Sequence, residues 1–421
     1  NSLSTGRDNV RVPLTTCVIV TMLSGASLDA QDWTRFRGPN GSGISEAKTI
    51  PASWTENDYN WTAELPGRGH SSPVVWGDKL FVTCCDEEAS LRHLICLNTK
   101  NGSTLWIKDF AFKKYKQQKN NSFASSTPTV DADHVYVLWH SRESSPLVAL
   151  DHAGNKVWEY DLGPYTHGQG GATSPVVVDD FVIVAHDQKE PSFLLALDRM
   201  TGREHWKIPR EGKHACYATP CLNTTSDRPA ELIFSHCYEG IVGVDLATGK
   251  LNWHLDVFGR DDQRALVSPI IAGDLVIAGS GAAGGTRHVV AVKVEQGAAT
   301  LEATEAYHIT RQAPHIPTPL AYGDWLFLWS DQGIATCLDR ASGKIVWQQR
   351  IGGNFYSSPI CIDGRIYCID LDGVMVVIAA TDKYEELARI PLGQPTSATP
   401  AVSNGTLFIR TESHVYSLGG A

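Results

Sequence analysis

The chain has 421 residues, 19% of them charged, and a formal net charge of −10. A nucleic-acid partner needs a positive field to displace counterions, so this balance excludes one. With 37 Gly, only 3 Met and 42% hydrophobic residues, and no sustained helical period, the composition points to an all-β protein, either two domains or one repeat array.

Residues 1–30 read as an export leader. Arg7 and Arg11 precede an apolar stretch over 12–28, and small residues at Ser24, Gly25, Ala26 and Ala30 offer cleavage points, with Ala26 or Ala30 fitting best. The stretch is too short and polar for a membrane span, so none is expected in the mature protein. Cys17 lies inside the stretch rather than after it, which argues against a lipid anchor. The leader places the protein in the periplasm, the outer envelope or outside the cell. Residues 31–56 follow as an N-terminal extension containing Asp32-Trp33-Thr34-Arg35-Phe36-Arg37-Gly38-Pro39. Beyond the leader nine cysteines remain, an odd number whose spacing matches no zinc motif. They read as small buried hydrophobes. The basic run Lys113, Lys114, Lys116 and Lys119 reads as a solvated loop.

From residue 70 one unit recurs. A Ser/Thr-Pro step opens an apolar strand eight times, at Ser72-Pro73, Thr127-Pro128, Ser174-Pro175, Thr219-Pro220, Ser268-Pro269, Thr318-Pro319, Ser358-Pro359 and Thr399-Pro400. The 40- to 55-residue spacing is that of a four-stranded propeller blade. Turns such as Gly77-Asp78, Gly273-Asp274 and Asp363-Gly364 then lead into second strands. A third landmark closes each unit. Ala196-Leu197-Asp198 is followed by Thr201-Gly202 and Trp206, and related blocks end at Trp106, Trp158, Trp253 and Trp347. Asp binds the turn amides, Gly takes the left-handed position, and the indole packs between blades. Blades five and seven are degenerate, with Leu301 where blade five should carry Trp, and Leu387-Ala388 in blade seven. Blade eight stops after residues 414–418, and the Trp61-bearing segment 59–65 supplies its fourth strand. The expected architecture is one eight-bladed β-propeller of four-stranded antiparallel blades over 57–421, closed by that N-terminal strand.

The Ala-x-Asp-x-x-Thr-Gly-x-x-x-Trp pattern, complete at 196–206, resembles the tryptophan-docking motif of PQQ-like propellers. The segment 32–39 is similar to the opening of many secreted proteins of that kind. The resemblance implies the fold. It also implies two kinds of activity, because the family includes quinoprotein alcohol dehydrogenases using PQQ with calcium as well as BamB-like envelope scaffolds. The docking Trp is architectural and does not decide between them.

Loops that enter first strands, or link second to third strands, converge on one face of a propeller. They supply Arg68, His70, Arg92, His140, His167, His186, His214, Tyr217, His236, His315, Asn354 and Tyr356 as candidate binding residues at the channel mouth. Gln169, Arg264, Asp187, Glu239, Asp331 and Asp372 lie in the same loops. His186 and His236 stand at similar places in neighbouring blades, where neutral imidazoles beside carboxylates can bind a metal or exchange protons. Hydrated polar channel mouths are equally ordinary, and no residue set is assigned to a metal. The dehydrogenase resemblance implies a vicinal Cys84-Cys85 disulfide against the quinone, with Asp86, Glu87 or Asp370 as calcium ligand or base. The alternative places the two side chains on opposite faces as thiols. No Cys-x-x-Cys-His haem motif follows, and no triad or phosphate loop is found. The favoured reading is a binding or scaffold protein that holds an envelope protein, peptide or polymer across its loop-bearing face. The alternative is a PQQ- and calcium-dependent alcohol or sugar dehydrogenase.

Overall fold

The computed structural model describes residues 1–2, 32–226, 228–259, 263–298 and 300–420. Nearly all of the segment read as a leader lies outside the described residues. Among the described residues, no helix is long and apolar enough to cross a membrane.

Residues 59–419 form eight four-stranded antiparallel sheets, one per Ser/Thr-Pro repeat. Blade one is typical. Its strands Val74–Trp76, Lys79–Asp86, Leu91–Asn98 and Thr104–Ala111 pair in sequence order from the innermost outward. The two middle strands are buried, while the outer strand alternates between exposed and half-buried. This is the pattern of sheets packed face to face around an axis. In the last blade the outer strand is Tyr59–Glu64, antiparallel to His414–Gly419. The ring is closed by the start of the propeller segment, as the Trp61 landmark predicts.

The outer strand of every blade carries a register shift beside the docking position. A bulge there re-aims one side chain toward the next blade. Trp206 lies opposite Ala196, and its Nε1 donates to Leu246 O at 3.0 Å. Trp61, Trp106, Trp158 and Trp347 donate in the same way to Thr99, His152, Arg199 and Thr381. The turn glycine is required by this packing. Gly202 has φ +69, and a Cβ on it would lie 2.6 Å from the Trp158 ring.

Two degenerate blades are repaired in ways the motif did not reveal. In blade five the docking residue is Tyr307, not Leu301. A longer hairpin moves the position along the chain, Tyr307 pairs with Ala291, and its hydroxyl donates to Arg340 O at 2.9 Å. Blade seven puts Ala388 at the docking position. There the N-terminal extension supplies the aromatic: Trp54 stacks on Tyr367, whose hydroxyl donates to Pro51 O.

The rest of the extension runs beneath the axis. Trp33 bridges Val75 of blade one, and Thr34 O accepts from Thr129 and Val130 of blade two. Arg35 donates to Pro220 O in blade four at 2.6 Å. Arg37 donates to Pro319 O and Pro359 O of blades six and seven, both at 3.0 Å. Ile44–Ser45 then adds a parallel strand to the inner edge of blade seven. Both guanidiniums are buried.

Candidate functional site

The Ser/Thr-Pro steps meet around the axis as a belt. Seven of the eight backbone N–H groups donate to the hydroxyl of the next blade: Ser72 to Thr127 (3.0 Å), Thr127 to Ser174 (3.0 Å), Thr219 to Ser268 (3.0 Å), Ser268 to Thr318 (3.2 Å), Thr318 to Ser358 (3.0 Å), Ser358 to Thr399 (2.9 Å) and Thr399 back to Ser72 (3.2 Å). Serine and threonine alternate round the ring. Because each of these seven hydroxyls accepts an amide proton, its own proton remains available for donation. Three prolyl carbonyls of the same steps, those of Pro220, Pro319 and Pro359, receive Arg35 and Arg37 from below.

On the other side of the belt lies a cavity of about 520 Å³, lined by all eight of these hydroxyl residues. Phe36, held between the two arginines, forms part of its wall, as do Leu266 and Ile316. The polar wall is His70, Gln118, Asn120, Asn121, Gln169, Tyr217, Arg264, His315 and Tyr356. None of the described lining residues is a carboxylate. The loop between blades one and two leans over this space. Its Asn120 donates to the Tyr356 hydroxyl at 2.9 Å, between blades six and seven. Tyr217 is fixed by donation to Gly170 O at 2.7 Å. Among the described residues Arg264 Nε has no acceptor, while the His315 ring donates to the Gly281 backbone and leaves Nε2 as an unpartnered acceptor. The backbone N–H of His315 donates to Asp331, which also receives Arg287. Burial pulls the His70 imidazole down to about 4, with the nearby Arg410 guanidinium adding to it. Burial lowers His315 as well, against the pull of Asp331. Both rings are neutral at physiological pH.

Of the twelve candidates at the mouth, His70, Tyr217, His315 and Tyr356 line this cavity, together with Gln169 and Arg264. The others are dispersed. Arg68 is exposed near Glu412, and Asn354 is exposed in its loop. Arg92 lies under Phe112 and donates to His140 O. The remaining histidines form two further ring clusters, His140 and His186 with Tyr165, and His167, His214 and His236 with Tyr238. Burial pulls His167 and His186 down to about 4 and His236 to about 2, so these too are neutral packing groups. Asp187, beside Arg210, is raised to about 6 by burial.

Cys84 and Cys85 point into different inter-blade cores and are free thiols, the arrangement of alternating side chains on one strand. Neither lines the cavity. Asp86 and Asp370 cap local turns, accepting from Ala89 and from Asp372 and Val374, and Glu87 is exposed. The residues missed from sequence are the Phe36 wall and the amides at Gln118, Asn120 and Asn121. An Arg-Phe-Arg triplet ahead of the first repeat was the available signal for the former.

A family model described as outer membrane protein assembly factor BamB matches residues 53–206, 93–317 and 311–386. The chain belongs to this family of PQQ-like β-propellers. Its relatives lie in both branches. The outer membrane protein assembly factor BamB of Yersinia pestis is 22% identical over 347 residues, covering 81% of this chain and 71% of its own. A polyvinylalcohol dehydrogenase of a Pseudomonas species is 21% identical over 276 residues, which cover 54% of this chain but only 41% of the dehydrogenase. Among solved structures, a europium-containing methanol dehydrogenase superimposes with TM-score 0.68 at 12% identity, covering 92% of this chain and 98% of the other. At that identity the likeness shows the fold alone.

Quinone and calcium can be tested against the donors of this PQQ-like propeller. Calcium takes six to eight oxygens and draws its affinity from carboxylates, yet the described lining offers amides, hydroxyls, one arginine and two histidines. Asp86, Glu87, Asp370 and the vicinal thiols stand elsewhere. The described residues do not fit the metal-assisted quinone set, and no chemistry is routed through it.

Proposed function

We propose that this PQQ-like propeller is a binding protein of the cell envelope whose axial cavity receives one end of a partner carrying an anionic group, such as the terminal carboxylate of a protein or peptide. One observation carries the reading. The described cavity wall has a guanidinium N–H with no acceptor, Arg264 Nε, above a belt of hydroxyls, and no described lining residue is a carboxylate that could compete for it. With Phe36 and the arginine-anchored segment crossing its base, the cavity takes a chain end from one side rather than a threaded polymer. An envelope location is supported by the leader-like segment and by the assembly-factor relatives.

The test is fluorescence anisotropy with peptides ending in a free carboxylate or in an amide. A charge-assisted contact of this kind is expected to favour the free carboxylate by at least about tenfold, with affinity falling as salt rises. Equal affinity for the two ends would sink the proposal. The dehydrogenase relatives prescribe a parallel arm, in which the protein is incubated with PQQ and calcium and an alcohol panel is offered with a dye acceptor. Neither retained quinone absorbance nor dye reduction is expected, and finding both would replace this reading.

A further inference from the structure

Away from the axial cavity, two thiols touch. Cys216 lies in the segment leading into blade four, and Cys237 in the hairpin after that blade's second strand, Arg228–His236. Their Sγ atoms are 3.3 Å apart, and both are buried in a small cluster with Ala218, Tyr238 and Ala265. Among the described residues this is the one pair of cysteines in contact.

His236 lies beside them, with the three possible ligand atoms all within 4.8 Å of one another. Such a set suits a soft metal, but the imidazole faces the wrong way. Its Nδ1 accepts the amides of Tyr238 and Glu239, both at 3.2 Å. The neutral ring therefore carries its proton on Nε2, where a ligand would need a lone pair. Two thiols in contact need no third group to form a bond.

We propose that Cys216 and Cys237 are joined as an intramolecular disulfide when the protein folds in an oxidising compartment. The sulfurs have to close by about 1.2 Å to reach bonding distance. One cysteine, as thiolate, attacks a donor disulfide, giving a mixed disulfide and releasing one donor thiol; the second cysteine then displaces the other. Two protein thiols lose two protons and two electrons, and the donor disulfide is reduced to two thiols. With both sulfurs buried in the finished fold, the exchange belongs to the stage before blade four closes. The bond fastens the incoming segment next to Tyr217, so it fixes one wall of the cavity without entering it. It does not depend on what the cavity binds.

The full chain has ten cysteines, which makes the test a count. The protein is unfolded under reduction, refolded in mixed reduced and oxidised glutathione, quenched, and alkylated in denaturant. Eight alkylated cysteines and a peptide pair linking residues 216 and 237 are expected. The oxidised protein should melt a few degrees above the reduced one, and the Cys216→Ala, Cys237→Ala double variant should melt alike with or without oxidant. Ten alkylated cysteines, a link between any other pair, or one equivalent of tightly bound zinc or copper with both thiols alkylatable would each overturn the proposal. If refolding yields are poor, protein isolated under non-reducing conditions from a periplasmic expression host serves instead, with seven alkylated cysteines expected where Cys17 is removed with the leader and eight where it is kept.

Discussion

The two ends of the propeller axis are built on the same eight Ser/Thr-Pro steps and use them in opposite ways. At the base three of the eight prolyl carbonyls, those of Pro220, Pro319 and Pro359, are occupied by Arg35 and Arg37 from a segment that precedes the first repeat. At the mouth the unpartnered Arg264 Nε belongs to a side chain that lines the cavity, whereas the Nε atoms of Arg35 and Arg37, also without partners among the described residues, are sealed inside the fold. A buried polar group without a partner is costly. Where the fold satisfies such groups, they hold it together; where it leaves them open, a ligand is the natural source of the missing acceptor.

The sharpest way to break this comparison is at the base. Arg37→Ala removes three donors from buried carbonyls, those of Gly41, Pro319 and Pro359, and is expected to cost roughly 4 kcal/mol in urea unfolding. Arg37→Lys should recover little of it, since an ammonium cannot reproduce the planar fork. A near-neutral Arg37→Ala would mean that the segment lies on the ring without holding it. Next is Trp206→Ala at the rim, where loss of a buried indole and its bond to Leu246 should cost about 3 kcal/mol. That loss should leave ligand binding at the mouth unchanged, which separates rim from axis.

The rim was the legible part of the sequence, because one solution is written there several times. Asp198, Thr201, Gly202 and Trp206 each have a mechanical duty that only a few residue types perform, so repetition exposes them. Blade five escaped because its hairpin is longer, and Tyr307 does by hydroxyl what an indole N–H does elsewhere. The axis was partly legible. Loop order placed His70, Tyr217, His315 and Tyr356 near the mouth, but it could not separate them from His167 and His214, which also lie in loops entering first strands. What separates the two sets is the direction of each side chain, into the cavity or between blades, and no period encodes it. Contact between Cys216 and Cys237 was hidden for the same reason, since two loops meet there.

The buried histidines between blades sharpen the contrast through pH. His186 is fully buried, and desolvation, followed by repulsion from Lys207, pulls it down to about 4. Its folded value lies below the unfolded value of about 6.5, so the unfolded chain binds the extra proton. Its contribution is therefore present above pH 6.5 and is lost as pH falls toward 4, about 2 kcal/mol by pH 5. His186→Phe, which keeps the stack on Phe193, should flatten the fall in stability between pH 7 and 5 by that amount. Parallel curves for the two proteins would show that this imidazole is already charged in the fold.

The smallest stability change belongs to the residue with the largest proposed role. Arg264 is half-buried, its Nε makes no hydrogen bond, and it lines the cavity. If the mouth is built for a ligand, Arg264→Ala should leave the urea midpoint within about 0.5 kcal/mol of the parent while weakening the free-carboxylate peptide at least tenfold. Arg264→Lys should restore the salt dependence but only part of the affinity, because it keeps the charge and loses the fork. A variant that loses stability as Arg37→Ala does, with no selective loss of the carboxylate peptide, would put Arg264 with the base arginines as part of the scaffold. The two ends of the axis would then be alike, and the unpartnered Arg264 Nε–H at the mouth would have to be satisfied by water alone.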